Sequence, residues 1–261
     1  MLMKRFIEKL QITKINQLRL CPLPIPLIPI EDGRILVFAP HADDEVLGCG
    51  GTLALLQKKK CAIKVVFITN SAGAGSLSED APLVRRQEAK EALSVLGIDD
   101  INFLDEPDGS FRNSAHIQNE IYSLLQQFNP DWIFLPSVLD YHRDHVAISH
   151  TILSCWQSWT GAGRAFFYEI WCPLPATLVV DVSSVIDLKK LAISKYILPL
   201  SHCDYFSASI GLAKYRGLYL LKQQKPSYAE AFVEAEKKDS WKSLQQTMLN
   251  LRFYLESFLR N

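Results

Sequence analysis

The sequence predicts an α/β fold: a Rossmann-like three-layer sandwich with a mostly parallel sheet and helices on both faces. Three observations carry this. Short apolar runs such as Ile35-Leu36-Val37-Phe38-Ala39 and Trp132-Ile133-Phe134-Leu135 lack polar alternation, as strands buried on both faces do. Segments of helical period lie between successive runs, and regular alternation of strand and helix means parallel pairing through crossovers. The chain has 261 residues, 48% of them hydrophobic and 21% charged, enough apolar content for a sizeable core.

Residues 1–33 read as an N-terminal extension. Met3, Phe6, Ile7 and Leu10 fall at helical spacing beside Lys4 and Arg5, a basic amphipathic start that either docks on the main domain or rests peripherally on a membrane surface. Pro22, Pro24, Pro26 and Pro29 then make a stiff, extended tether. The regular domain spans 34–235. Its strands are expected over 35–39, 62–69, 101–104, 131–136, 165–171 and 177–182. Its helices are expected over 50–59, 82–96, 114–128, 144–156, 185–197 and 209–222; Gly97 stops the second. Residues 236–261 form a C-terminal segment with a helix over 240–258.

Composition excludes several classes. Lys+Arg and Asp+Glu are both 28, so the net charge is zero and no global field attracts nucleic acid. No run is apolar enough for a transmembrane segment; the best one, 20–30, is too short and is broken by its prolines. Glu8, Lys9 and Lys14 interrupt any signal-peptide core, so the expected location is cytoplasmic. Six cysteines without a C-x-x-C pair read as free, mostly buried thiols rather than a cysteine zinc site.

Chemistry-bearing residues concentrate in two segments: Pro40-His41-Ala42-Asp43-Asp44-Glu45, directly after the first strand, and Asp140-Tyr141-His142-Arg143-Asp144-His145, shortly after the fourth. Open α/β sheets bind ligands beyond the carboxyl ends of their strands. In a doubly wound strand order 3-2-1-4-5-6, the first and fourth strands are neighbours, so the two loops face one crevice. His41 and Asp44 are three residues apart on a tight turn. His142 and His145 are three apart at a helix start, sharing a face. Two imidazoles and a carboxylate with an open position make a catalytic zinc set; ferrous iron takes similar ligands. A carboxylate and a histidine remain over for proton transfer. Taken singly, Asp43, Asp44 and Glu45 also read as helix-start carboxylates, and His142 and His145 as surface residues. Together, beyond two strand ends, they read as a site. His116, His150 and His202 read as structural.

The segment His41 to Thr52, with Pro40 ahead of it, resembles the A/P-H-x-D-D-E-x-x-G-x-G-G signature of the LmbE/PIG-L-like N-acetylglucosaminyl deacetylases. His142-Arg143-Asp144-His145 resembles their H-x-D-H motif. Weaker likenesses are Arg85 with Glu88, Pro107-Asp108-Gly109, Tyr215-Arg216-Gly217 and the stretch 228–232. Leu198-Pro199 stands where many relatives carry Ser-Gln. The resemblance spans about 34–235 and implies a Rossmann-like metal-dependent N-deacetylase acting on an N-acetylglucosamine-type sugar conjugate. It implies one Zn²⁺ ion, with Fe²⁺ as the other candidate, held by His41, Asp44 and His145. Asp43 is then the general base, and His142, in its protonated form, steadies the oxyanion. Arg85 and Asp108 match positions that touch the sugar. Competing readings are another metallohydrolase, such as a two-metal phosphoesterase, and a non-catalytic carbohydrate-binding protein.

Overall fold

A computed structural model describes residues 24–73, 80–221 and 226–237. The expected helices near both termini lie outside these residues. An eight-stranded sheet forms the middle layer. Its strands are β1 (Ile25–Pro26), β2 (Arg34–Ala39), β3 (Ala62–Thr69), β4 (Asp100–Glu106), β5 (Trp132–Pro136), β6 (Arg164–Tyr168), β7 (Leu178–Asp181) and β8 (Ala229–Ala235), in the order β1-β7-β8-β6-β5-β2-β3-β4. Pairings among β2 to β6 are parallel, and only β8 runs antiparallel to its neighbours β6 and β7. β2 and β5 are adjacent, with Val37 opposite Phe134, so the two loops singled out in the sequence leave the sheet side by side.

The helices are α1 (Asp44–Lys58), α2 (Ala81–Val95), α3 (Ala115–Phe128), α4 (Arg143–Ser158), α5 (Ile186–Ile193), α6 (Ile197–His202) and α7 (Tyr205–Arg216). Strand side chains alternate between faces. Ile35, Val37 and Phe134 join the core under α1, α2 and α5. Leu36, Phe38 and Ile133 join a second core with Ile117 and Ile121 of α3 and Ile148 and Ile152 of α4. Two buried cores on one sheet are the three layers the sequence predicts. α1 crosses β6 closely at Gly48: a Cβ there would come within 2.3 Å of Tyr168.

Several boundaries differ from expectation, each for a physical reason. α1 starts at Asp44 rather than near residue 50, because its first turn carries acidic side chains, which suit a helix start but break the apolar pattern. The strand expected over 165–171 ends at Tyr168. The helix expected over 185–197 divides into α5 and α6, and the one over 209–222 is α7, four residues earlier at its start. β8 has no counterpart in the expected elements. Its sequence, AEAFVEA, is rich in alanine and glutamate, which are poor strand formers. Ile25 and Pro26, in the proline-rich run, pair with β7 at the sheet edge, where proline is tolerated. No helix among the described residues is long and apolar enough to cross a membrane.

Candidate metal centre and active site

The loop after β2 is held from beneath. Pro40 O accepts from Thr69 N at 3.0 Å and Thr69 Oγ1 at 2.8 Å, and Ala42 N donates to Ser71 Oγ at 2.9 Å. His41 N donates to Asp44 Oδ2 at 2.9 Å, closing the turn. The β5 loop ends on His142, the N-cap of α4, whose Nδ1 accepts from Asp144 N at 3.3 Å. These loops bring His41 Nδ1, Asp44 Oδ2 and His145 Nε2 into a triangle. The two nitrogens are 3.1 Å apart, and each lies 3.2 Å from the carboxylate oxygen. All three side chains are buried.

The remaining nitrogens of the two rings face carboxylates. His41 Nε2 lies 3.0 Å from Asp108 Oδ1, and His145 Nδ1 lies 3.4 Å from Asp140 Oδ1, beyond good hydrogen-bond alignment. With those nitrogens carrying the protons, two lone pairs and a carboxylate oxygen converge on one point. Such an arrangement is repulsive unless a proton or a metal cation lies between them. Although burial disfavours a charged ring, the surrounding carboxylates raise His145 to about 9 and push His41 well above its usual value. Burial acts to raise Asp44, yet His145 and His41 hold it far below the carboxylate range. Zinc ligands at about 2.0–2.2 Å in a tetrahedron stand roughly 3.3–3.6 Å apart, close to the observed triangle. The donor set fits a divalent ion, with Asp108 and Asp140 as the outer carboxylates that orient ligating imidazoles.

Asp43 sits between His41 and Asp44 in their turn, with φ 139° and ψ −29°, a left-handed backbone that a non-glycine residue adopts under constraint. Glu45 supplies part of that constraint. Its Oε2 accepts from Asp43 N at 3.2 Å, and its Oε1 accepts from Tyr196 Oη. Burial pushes Asp43 up to about 6, against the pull of the Arg85 guanidinium 3.0 Å from its Oδ2. Burial likewise pushes Glu45 up to about 8. His142 is half-buried. Desolvation, with His145 and His41 nearby, holds its pKa below the usual value. Because its Nδ1 accepts the helix N–H, the neutral ring carries its proton on Nε2. A donor is therefore available without protonation, unlike the protonated form expected from the sequence.

Arg85 and Asp108 line the same cavity of about 130 Å³ as His41, Asp43, His142 and His145. Both are also engaged within the protein. Arg85 pairs with Asp43 and donates to Ala42 O, and Asp108 holds His41 and accepts from Gly73 N at 2.7 Å. Sequence reasoning missed Asp140 and Tyr196 as supports of the site. Asp140 lies in the second motif but reads there as one more loop acid, and Tyr196 reads only as the end of an apolar helix.

The fold and site define a class: a mostly parallel α/β protein with a His/Asp metal-type centre where adjacent strands end. Residues 36–156 match the family model described as PIG-L: GlcNAc-PI de-N-acetylase. That match and the relatives that follow support the LmbE/PIG-L-like deacetylase family that the sequence resembles. It is 28% identical over 133 residues to a probable N-acetyl-alpha-D-glucosaminyl L-malate deacetylase 2 of Bacillus cereus, covering 46% of this chain and 59% of that protein. Its fold is similar to N,N'-diacetylchitobiose deacetylase from Pyrococcus horikoshii, with TM-score 0.70 and 19% identity over 79% of this chain and 85% of the other. It is equally similar to GalB, the 4-carboxy-2-hydroxymuconate hydratase of Pseudomonas putida KT2440, with TM-score 0.69 and 22% identity over 78% and 96%. The fold alone therefore does not select a reaction. The chain spans less than two thirds of the length of the curated relatives it matches.

Proposed function

We propose that the protein is a metal-dependent N-deacetylase that hydrolyses the N-acetyl amide of an N-acetylglucosamine-type sugar conjugate, releasing acetate and a free amine. The observation that carries this reading is the triangle of His41, Asp44 and His145 with Asp43 and His142 on its open side. When bound there, a divalent ion such as zinc, or iron in the ferrous state, polarises the amide carbonyl and makes water nucleophilic near neutral pH. Asp43 accepts the proton of the attacking water. It returns that proton to the amine, which otherwise leaves poorly. His142 donates from Nε2 to the oxyanion that forms on the acetyl carbonyl, as a neutral imidazole does when its other nitrogen accepts a helix N–H. Arg85, beside Asp43, keeps the base from being fully neutralised by burial and offers its remaining N–H groups to the substrate. Asp108 holds the His41 ring.

The relatives' printed names support a sugar amide: the B. cereus protein is described as a glucosaminyl malate deacetylase. The test is free-amine release from a panel of N-acetylglucosamine conjugates, with and without a chelator. The reading expects release that the chelator abolishes and added zinc restores. Failure to release amine from any member of the panel at full metal loading contradicts it.

A further inference from the structure

The cavity over the metal-type centre, at about 130 Å³, is smaller than the ~300–1,000 Å³ of pockets that enclose whole small molecules. It takes an acetamido group, and the ring that bears it must rest against the walls. Those walls differ in chemistry. The sheet order places β3 and β4 on one side of the β2/β5 pair and β6 on the other. The β3/β4 side offers Asp108 and, from α2, Arg85. The β6 side offers Ile170 and Trp171 from the loop after β6, with Tyr205 at the start of α7. Trp171 is 47% exposed. Its ring meets Tyr205 edge-on with centroids 5.6 Å apart and planes at 88°.

A half-exposed tryptophan is ordinarily free to move, but this one is mounted. Trp171 N donates to Asp140 Oδ2 at 3.2 Å, and Asp140 is the same buried carboxylate that faces His145. Glu169, at the start of the loop, accepts from Leu174 N at 2.6 Å. Arg216 donates to Glu169 Oε2 at 3.1 Å and to Leu174 O at 2.8 Å. A buried ion pair thus fixes both ends of a short loop whose one large exposed side chain faces the site. Rigid presentation of an aromatic face costs little ordering on binding.

We infer that Trp171 and Tyr205 form the platform on which the substrate's pyranose ring lies, making them specificity-determining residues for a cyclic sugar over an acyclic amide. The inference rests on the deacetylase reading for its substrate. A pyranose has C–H faces and hydroxyl edges. Its C–H face packs on the Trp171 indole while its hydroxyls turn toward Arg85 and Asp108. Glu169 and Arg216 act as positioning residues for the platform.

Two arms test this on the full chain. In the first, methyl glucosaminide is titrated into the protein while tryptophan fluorescence is followed. The other described tryptophans, Trp132, Trp156 and Trp159, are buried, so a saturable change that vanishes in Trp171→Phe supports the platform, and one that persists overturns it. In the second, Trp171→Ala is assayed on methyl N-acetylglucosaminide and on N-acetylethanolamine. Loss of stacking raises KM for the sugar about tenfold, the equivalent of ~1.4 kcal/mol. kcat stays within about twofold, and the acyclic amide shows no such rise. An unchanged KM, or equal loss on both amides, overturns the inference. Saturable binding without hydrolysis contradicts the deacetylase reading but keeps the platform; hydrolysis indifferent to Trp171 does the reverse, and neither binding nor hydrolysis contradicts both.

Discussion

Asp43 concentrates the chemistry at the residue scale. A strained backbone, a buried carboxylate and a guanidinium partner meet on one side chain, and strain of this kind persists only where its surroundings enforce it. Asp43→Asn keeps the shape but cannot take a proton. It should retain metal and lose about 10²–10⁴ in kcat, read by turnover and metal analysis on one preparation; near-normal turnover would assign the base elsewhere. His142 and His145 look alike in sequence and differ in what their nitrogens do. His145 Nε2 belongs to the triangle, whereas His142 Nδ1 caps α4. His145→Ala should therefore lose metal and rate together, and His142→Ala should keep metal and lose about 10²–10³ in kcat; metal content of the two purified variants distinguishes them, and the reverse pattern exchanges the roles. The ligand candidates were legible because polar residues clustered just past apolar strands have few structural uses. Asp140, Tyr196 and the tautomers were not, since each depends on a partner brought in by folding.

At the scale of elements, α1 is two helical pieces. Cys49 leaves the helical region at φ −138°, ψ 15°, and the break exposes backbone groups inside the core. Glu230 of β8 accepts from Gly51 N at 2.8 Å and Thr52 N at 2.7 Å. Lys189 of α5 donates to Leu47 O at 2.8 Å and to Glu230 at 2.6 Å. Both side chains are buried, so the ion pair splints the break that lets the first turn aim Asp44 at the site. Removing one partner strands a buried charge: Lys189→Met should cost about 3–5 kcal/mol in urea unfolding, with part recovered in Lys189→Met/Glu230→Gln. A loss under ~1 kcal/mol would mean that the pair is not holding the break. This device explains why β8 escaped sequence reading. Glu230 looks like a polar interruption, yet it is buried because its partners come from α1 and α5. β2, β3 and β5, by contrast, were readable because strands covered on both faces need only be apolar, a local property.

For the whole molecule, adjacency of β2 and β5 is the decisive feature, since it joins segments about a hundred residues apart into one centre. The doubly wound order anticipated that adjacency; the insertion of antiparallel β8 between β6 and β7 was not readable, because pairing partners of an edge-side strand are set by tertiary packing. An ion that bridges the two loops ties the halves of the sheet together, so it should stabilise the fold. At an ion concentration about 100 times its Kd the gain is ~2.7 kcal/mol, and chelation should lower Tm by roughly 5–10 °C for a chain of this size. An unchanged Tm would mean that the ion, if bound, does not bridge the loops.

The central claim is that one divalent ion sits in the His41, Asp44, His145 triangle. Anomalous diffraction at the zinc edge on zinc-loaded crystals tests it most directly. The account predicts a single peak about 2.0–2.2 Å from His41 Nδ1, Asp44 Oδ2 and His145 Nε2, with His142 Nε2 outside bonding distance. A peak elsewhere, or one bonded to His142 in place of His145, would contradict it.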